Sequence, residues 1–162
     1  MRGLLAELAV GRHLALAGRN WRVVGMLRGS EVPPGQGEEF EWEECHLRGD
    51  DQARAWLLLD CYNGLLSFLE PLADCGLLDL AAWQPGHEAA AGRLRVQWCG
   101  HGRVVASCGQ APAVGQLVWY ADLHEPSTGT EYRVDGQGQL WRAIPVTPRQ
   151  WRRARRARGK GK

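Results

Sequence analysis

Apolar residues alternate with polar ones along much of this chain, and the two-residue period is that of β-strands rather than helices. Leu14 and Leu16 alternate in a first short strand, and Trp21 and Val23 in a second, with Gly18-Arg19-Asn20 between them. Phe40 and Trp42 share one face of a third strand, and Glu39, Glu41 and Glu43 the other. After Glu44 the apolar positions move to Cys45 and Leu47, a change of phase that predicts a bulge. Such a turn of Glu44 toward the core predicts a structural ion pair with an arginine such as Arg22 or Arg54.

The runs Arg54–Tyr62 and Leu65–Leu69 flank Asn63-Gly64, which predicts a two-residue type I′ hairpin with Tyr62 opposite Leu65. The first run is apolar on both faces, as in a strand buried on both sides. Leu94, Val96 and Trp98 alternate with Arg93, Arg95 and Gln97, giving another strand with those three apolar residues inward. Further strands are predicted at Gly102–Ser107, Gln116–Leu123, Thr130–Val134 and Gln139–Val146. Between them, 71–92 reads as a covering segment. It includes a helical turn or loop at Leu77–Trp83 and an Ala/Gly-rich excursion from Gln84 to Gly92. Val10-Gly11 before Trp21-Arg22-Val23 is echoed by Val114-Gly115 before Tyr132-Arg133-Val134, a match too short to establish a repeat.

The predicted fold is therefore all-β: a single antiparallel barrel or two-sheet sandwich of about ten short strands, with a basic C-terminal helix or tail. At 162 residues one packed domain is expected, and 21 glycines suit its many turns. The domain is assigned to residues 1–148 and the tail to 149–162. Thr147 and Pro148 are a helix start signal, an N-cap followed by proline at the first helical position.

Charge changes the picture at the C-terminus. The net charge of +2 divides into a body with 12 basic and 18 acidic residues and a tail with eight basic residues and no acids. Arg149, Trp151, Arg152, Arg153, Arg155, Arg156 and Arg158 form a candidate polyanion-binding segment, for nucleic acid or an anionic membrane surface. Glu41, Glu43, Asp122, His124 and Glu131 form a candidate docking surface on the acidic body. Asp122 to Glu131 is also a polar loop of the kind that carries binding groups.

Reacting groups are not legible. Five cysteines fall without a CxxC pair, an odd number that suits a reducing compartment. Cys99, His101 and Cys108 lack the paired spacing of a zinc site, so no metal is expected. A thiol at Cys61 or Cys108 with His46 or His124 as base requires a spatial pairing that spacing does not show. No catalytic residue and no cofactor are predicted. No apolar run reaches the roughly 18 to 20 residues of a membrane span, and the first ten residues, interrupted by Glu7, make a poor signal peptide. A cytoplasmic location is the expectation.

Several short motifs resemble the bacterial family called domain of unknown function 4178. They are Val10-Gly11, Trp21-Arg22-Val23-Val24-Gly25, Trp42-Glu43-Glu44 and Ala55-Trp56-Leu57 in the first half. In the second half they are Arg103-Val104-Val105 with Gly109, and Asp122-Leu123 with Pro126-Ser127 and Glu131. The resemblance spans most of residues 8–146, and departs at 84–92, at the Asn-Gly turn and in the basic end. It implies no catalytic residues and an accessory role beside membrane-associated stress systems. The expectation is a non-enzymatic adaptor with a protein partner, the alternative a small nucleic-acid-binding barrel that uses the arginine tail.

Overall fold

A computed structural model describes residues 3–32, 39–72, 83–90 and 92–156. Among the described residues are ten strands: β1 (His13–Leu16), β2 (Arg19–Glu31), β3 (Phe40–Gly49), β4 (Arg54–Asp60), β5 (Leu66–Pro71), β6 (Glu88–Ala89), β7 (Leu94–Gly109), β8 (Leu117–Glu125), β9 (Thr130–Asp135) and β10 (Leu140–Pro145). Two short helices flank them, α1 (Leu4–Glu7) and α2 (Pro148–Ala154).

Strands β2–β5 form one antiparallel meander and β7–β10 a second. Pairing of β5 with β10 joins them along one edge and pairing of β2 with β7 along the other. The result is a closed eight-stranded barrel, with β1 and β6 added outside it on β2 and β7. All-β is thus the fold, and of the two expected architectures it is the barrel. The echo at Val10-Gly11 and Val114-Gly115 does not mark equivalent strands. The first precedes β1, outside the barrel, and the second precedes β8, within it.

Each meander has its own apolar core on its outer face. The first gathers Trp21, Val23, Met26, Cys45, Leu47, Leu57 and Phe68 beneath α1, β1 and α2. The second gathers Leu94, Val96, Ala121, Leu123, Tyr132, Val134 and Leu140 beneath β6 and Trp83. The face enclosed between the meanders is mixed, with Trp42, Glu44, Trp56, Trp141, Tyr120 and Arg133 filling it. An eight-stranded barrel is just wide enough to be filled by side chains.

This two-sided burial explains where the strand reading of β3 departs from the structure. Its pairing with β4 is uninterrupted from Trp42 to Arg48, so no bulge follows Glu44. Trp42 and Glu44 face inward, while Glu43, Cys45 and Leu47 face the outer core. Polarity did not report the face because both faces are buried. The bulges lie elsewhere, in β2 at Val24 and in β7 at Gln97 and Val105. The bulge at Gln97 turns Trp98 into the barrel, away from the core that Leu94 and Val96 enter. It also leaves 94–109 as one strand where two were expected.

The central hairpin exists in a different form. Leu59 pairs with Leu66, and Asp60 N–H donates to Leu65 O at 2.9 Å. The loop is therefore Cys61-Tyr62-Asn63-Gly64, with Gly64 alone at positive φ, +70°. The Asp60 side chain accepts from the N–H groups of Tyr62 and Asn63, and this favours the longer loop. A two-residue turn with both positions at positive φ occurs instead at Ala17-Gly18, between β1 and β2. The expected helical turn at Leu77 to Trp83 falls, apart from Trp83, outside the described residues.

Helix α2 begins as expected. Thr147 accepts from Gln150 N–H, and Gln150 returns a bond to the Thr147 backbone. The segment from 149 is not separate from the fold, however. Trp151 and Ala154 are buried in the first outer core. Trp151 Nε1 donates to Glu7 at 2.9 Å, and Arg155 pairs with the same carboxylate at 2.7 Å.

Candidate functional site in the barrel interior

The interior is organised around Arg133, on β9. Its Nε and Nη2 donate to the two oxygens of Asp122 at 2.7 and 2.9 Å, and its guanidinium lies 4.4 Å from the Tyr120 ring centroid. Asp122 and Arg133 are directly paired across β8 and β9, so the fork follows from register. Burial disfavours the Arg133 cation, but the charge and bonds of Asp122 and the charge of Glu44 outweigh it and raise its pKa.

Across the barrel, Glu44 accepts from Trp42 Nε1 at 3.0 Å and contacts His46 Nε2 at 3.3 Å. Burial alone would push its carboxyl up. The His46 bond, the Arg133 charge and the Trp42 bond reverse this and hold the pKa below the ordinary value. The partner of Glu44 is therefore His46, two positions along the same strand, with the charge of Arg133 on β9 acting on it from nearby, and not Arg22 or Arg54.

Tyr120 donates to Glu31 at 2.6 Å and accepts from Trp98 Nε1 at 3.2 Å. Burial first, then the bond to Glu31, pushes the Tyr120 hydroxyl pKa up. Trp42 passes between Gly29 and Gly102, where any Cβ would overlap its ring, and Gly100 leaves room for the Glu31 carboxylate. His46, Trp56 and Trp141 form a stack with centroid separations of 5.0 and 4.3 Å.

At the mouth ringed by the β3–β4, β7–β8 and β9–β10 connections, a cavity of about 350 Å³ opens onto this network. Glu44, His46, Arg54, Trp56, Arg133 and Asp135 line it, with an apolar rim that includes Pro112 and Leu117. At the other mouth, Asp60, Asp122 and Glu131 surround a smaller cavity of about 230 Å³.

The residues expected to form a docking surface do not form one. Glu43 is fully buried on the outer side of β3, where it accepts from Arg28 Nε at 3.1 Å and from Leu5 N–H at 3.0 Å. Alternation places it opposite Trp42, beneath α1 and not on a solvated face. Glu41 is half-buried beside the β4–β5 loop. Asp122, His124 and Glu131 do come together at the acidic mouth, where His124 and Glu131 are 2.8 Å apart and Asp122 is held by Arg133.

Of the polyanion candidates, Arg149, Arg152, Arg153 and Arg156 are exposed. Trp151 is 2% exposed and cannot stack on a base, and Arg155 is occupied by Glu7 and lies 5.4 Å from the Trp151 ring centroid. Arg158 falls outside the described residues.

Among the described residues no hydrogen bond joins Cys61 or Cys108 to His46 or His124, and burial first, then the Glu43 charge, pushes the Cys61 thiol up. Cys45 is buried and its pKa is pushed up to about 12 by burial. Cys99 Sγ donates to Trp83 O, and the His101 ring lies tilted against Trp119 with centroids 4.4 Å apart. Among the described residues no group of three or more His, Cys, Asp or Glu side chains is placed to hold a metal ion. No described helix is long and apolar enough to cross a membrane.

The interior network was not foreseen in the sequence. Its one signal was the set of polar residues, Glu44, Asp122 and Arg133, inside segments that otherwise read as strands. No protein-family model, curated protein or solved structure matches this chain.

Proposed function

We propose that this protein is a non-enzymatic accessory domain that works by recognising another protein. The observation that carries the reading is the distribution of its tryptophans. Seven of the eight are buried or half-buried, and four of them (Trp42, Trp56, Trp98 and Trp141) face the interior. Trp119 alone is exposed, at 50%. It stands on the outer face of β8, tilted against the His101 ring and beside exposed Leu117. Exposed aromatic residues of this kind anchor protein contacts. Within the interior network the Glu44 carboxyl lies below its ordinary pKa and the Tyr120 hydroxyl above it, each bonded to a neighbour inside the barrel. The resemblance to the domain of unknown function 4178 family supports the same reading and adds an intracellular setting near a membrane-associated stress system.

One observation favours a second reading. Arg149, Arg152, Arg153 and Arg156 are all exposed on or just after α2, where they present a compact basic surface to nucleic acid or anionic lipid. Capture from native lysate with and without nuclease separates the two. An accessory domain retains the same protein partner after nuclease treatment and when these four arginines are changed to glutamine. Loss of all captured material under either condition favours the polyanion reading and overturns the first.

A further inference from the structure

We infer that a row of arginines across β2, β3 and β4, continued by His13 on β1, is a phosphate-binding surface for a single-stranded nucleic-acid chain. The inference goes beyond the protein contact at Trp119, and it assigns the anion site to the sheet and not to α2.

The row follows from register. His13 pairs with Arg22, Arg22 with Arg48, and Arg48 with Arg54. Residues directly opposite in antiparallel strands share a face, so four basic side chains line up across four neighbouring strands. At about 4.8 Å from strand to strand the row runs for roughly 14 Å. The next residues along these strands, Leu14, Trp21, Leu47 and Ala55, enter the first outer core, which leaves the row on the opposite face. His13, Arg22 and Arg54 are exposed there, and Arg48 is half-buried between the two arginines.

Like charges directly opposite one another destabilise a sheet, and Arg48 meets one on each side. Among the described residues no carboxylate lies within 4 Å of any of the three arginines. Of the acids in the β3–β4 turn, Asp51 is taken by Arg19 and by Ala53 N–H, and Asp50 is exposed. The body carries 12 basic residues against 18 acidic ones, so three unpaired arginines in register run against its composition. An anion seated between neighbours turns their repulsion into attraction. Phosphate suits the place because it offers oxygens to a guanidinium on either side, and a chain of phosphates repeats along the row. Curvature selects the shape of the partner. His46 and Trp56, paired two positions further along β3 and β4, belong to the inner side of the barrel wall, so the row continues its concave side. A linear chain can follow a concave face and a flat lipid surface cannot. Trp56 lies between His46 and Trp141 and offers no free ring face to a base, so the contact is to the backbone and independent of sequence.

The test is fluorescence anisotropy of the full chain with labelled single-stranded oligouridylate and oligoadenylate, at several salt concentrations. Both strands are expected to bind with similar affinity. The Arg22→Gln/Arg48→Gln/Arg54→Gln protein should bind about tenfold or more weakly. Its log–log salt slope should be shallower by about 2, because each phosphate contact on a single strand contributes roughly 0.7. The matching lysine protein should keep most of the slope. Arg48→Gln alone should melt no lower than the wild type, since it relieves a like-charge row, and it supplies a second readout if the triple variant does not fold. Glutamine at Arg149, Arg152, Arg153 and Arg156 should leave the affinity within about threefold, since those side chains lie outside the row. An unchanged slope in the triple variant, or loss of binding with the α2 changes alone, overturns the inference. So does binding of oligoglutamate or of phosphatidylserine vesicles through the row as tightly as RNA. Neither result bears on a protein adduct at Trp119, so failure here and failure of the protein contact are distinguishable.

Discussion

Trp151→Ala should destabilise the whole domain, although its position in an arginine-rich terminal segment suggests a dispensable residue. The side chain is 2% exposed and packs with Leu4, Leu8, Val146 and Ala154 in the first outer core. It also ties α2 to α1 by the bond from Nε1 to Glu7, the carboxylate that Arg155 approaches at 2.7 Å. Truncating a buried tryptophan costs about 3–5 kcal/mol, the lost transfer energy plus the cavity left behind. Native domains are stable by only about 5–15 kcal/mol, so this is a large share. At roughly 2–4 °C per kcal/mol for a chain of this length, the melting temperature should fall by about 6–20 °C. The comparison protein carries glutamine at Arg149, Arg152, Arg153 and Arg156. It removes four exposed charges and no packing, and should melt within about 2 °C of the wild type. Thermal unfolding followed by circular dichroism reads both. A Trp151→Ala protein that melts with the wild type would refute the placement of α2 in the core.

Three further outcomes follow from the same geometry. Gly64→Val puts a β-branched residue at φ +70°, where no atom lies within 4 Å of the new Cβ, so the cost is backbone strain alone. It should be on the order of 1–2 kcal/mol by denaturant titration, and unchanged stability would count against the four-residue loop. Gly102→Ala drives a methyl into the Trp42 ring and the Ser30 carbonyl, and should cost about 1–3 kcal/mol, with partial recovery in the Gly102→Ala/Trp42→Leu double variant. Glu44 has a pKa below its ordinary 4.5, so its charge stabilises the fold above that pH, and this contribution is lost as pH falls through the lowered value. Glu44→Gln should therefore be several kcal/mol less stable at pH 7 and lose less stability on acidification, and parallel acid limbs for the two proteins would contradict the Arg133–Glu44–His46 arrangement.

The strands were legible because alternation survives wherever one apolar face meets an outer core. Leu14 and Leu16, Trp21 and Val23, and Leu94 and Val96 all sit where their period puts them. Reading failed where the barrel buries both faces, since polarity then stops reporting direction. That is why Glu43 read as solvated and the shift from Glu44 to Cys45 read as a bulge. The hairpin register failed for a local reason. Asp60 organises a longer loop that Asn63-Gly64 alone does not announce. The interior network was hidden because Arg133, Asp122, Glu44 and Glu31 lie up to 102 positions apart, and only closure of the β2–β7 and β5–β10 edges brings them together. Charge segregation marks the C-terminal end as basic but says nothing of its buried tryptophan. Formal charge does not register that Trp151 and Ala154 lie on the buried side of a seven-residue helix.

The central claim is recognition of a protein through the outer face of β8. Photocrosslinking tests it most directly, with a benzophenone amino acid placed at Trp119 and, in a separate protein, at Arg153. The account predicts one nuclease-resistant protein adduct of defined mass from position 119, and none when the exposed Glu88 position is used as a control. Adducts that form only at position 153 and disappear with nuclease, or no adduct at position 119, would contradict it.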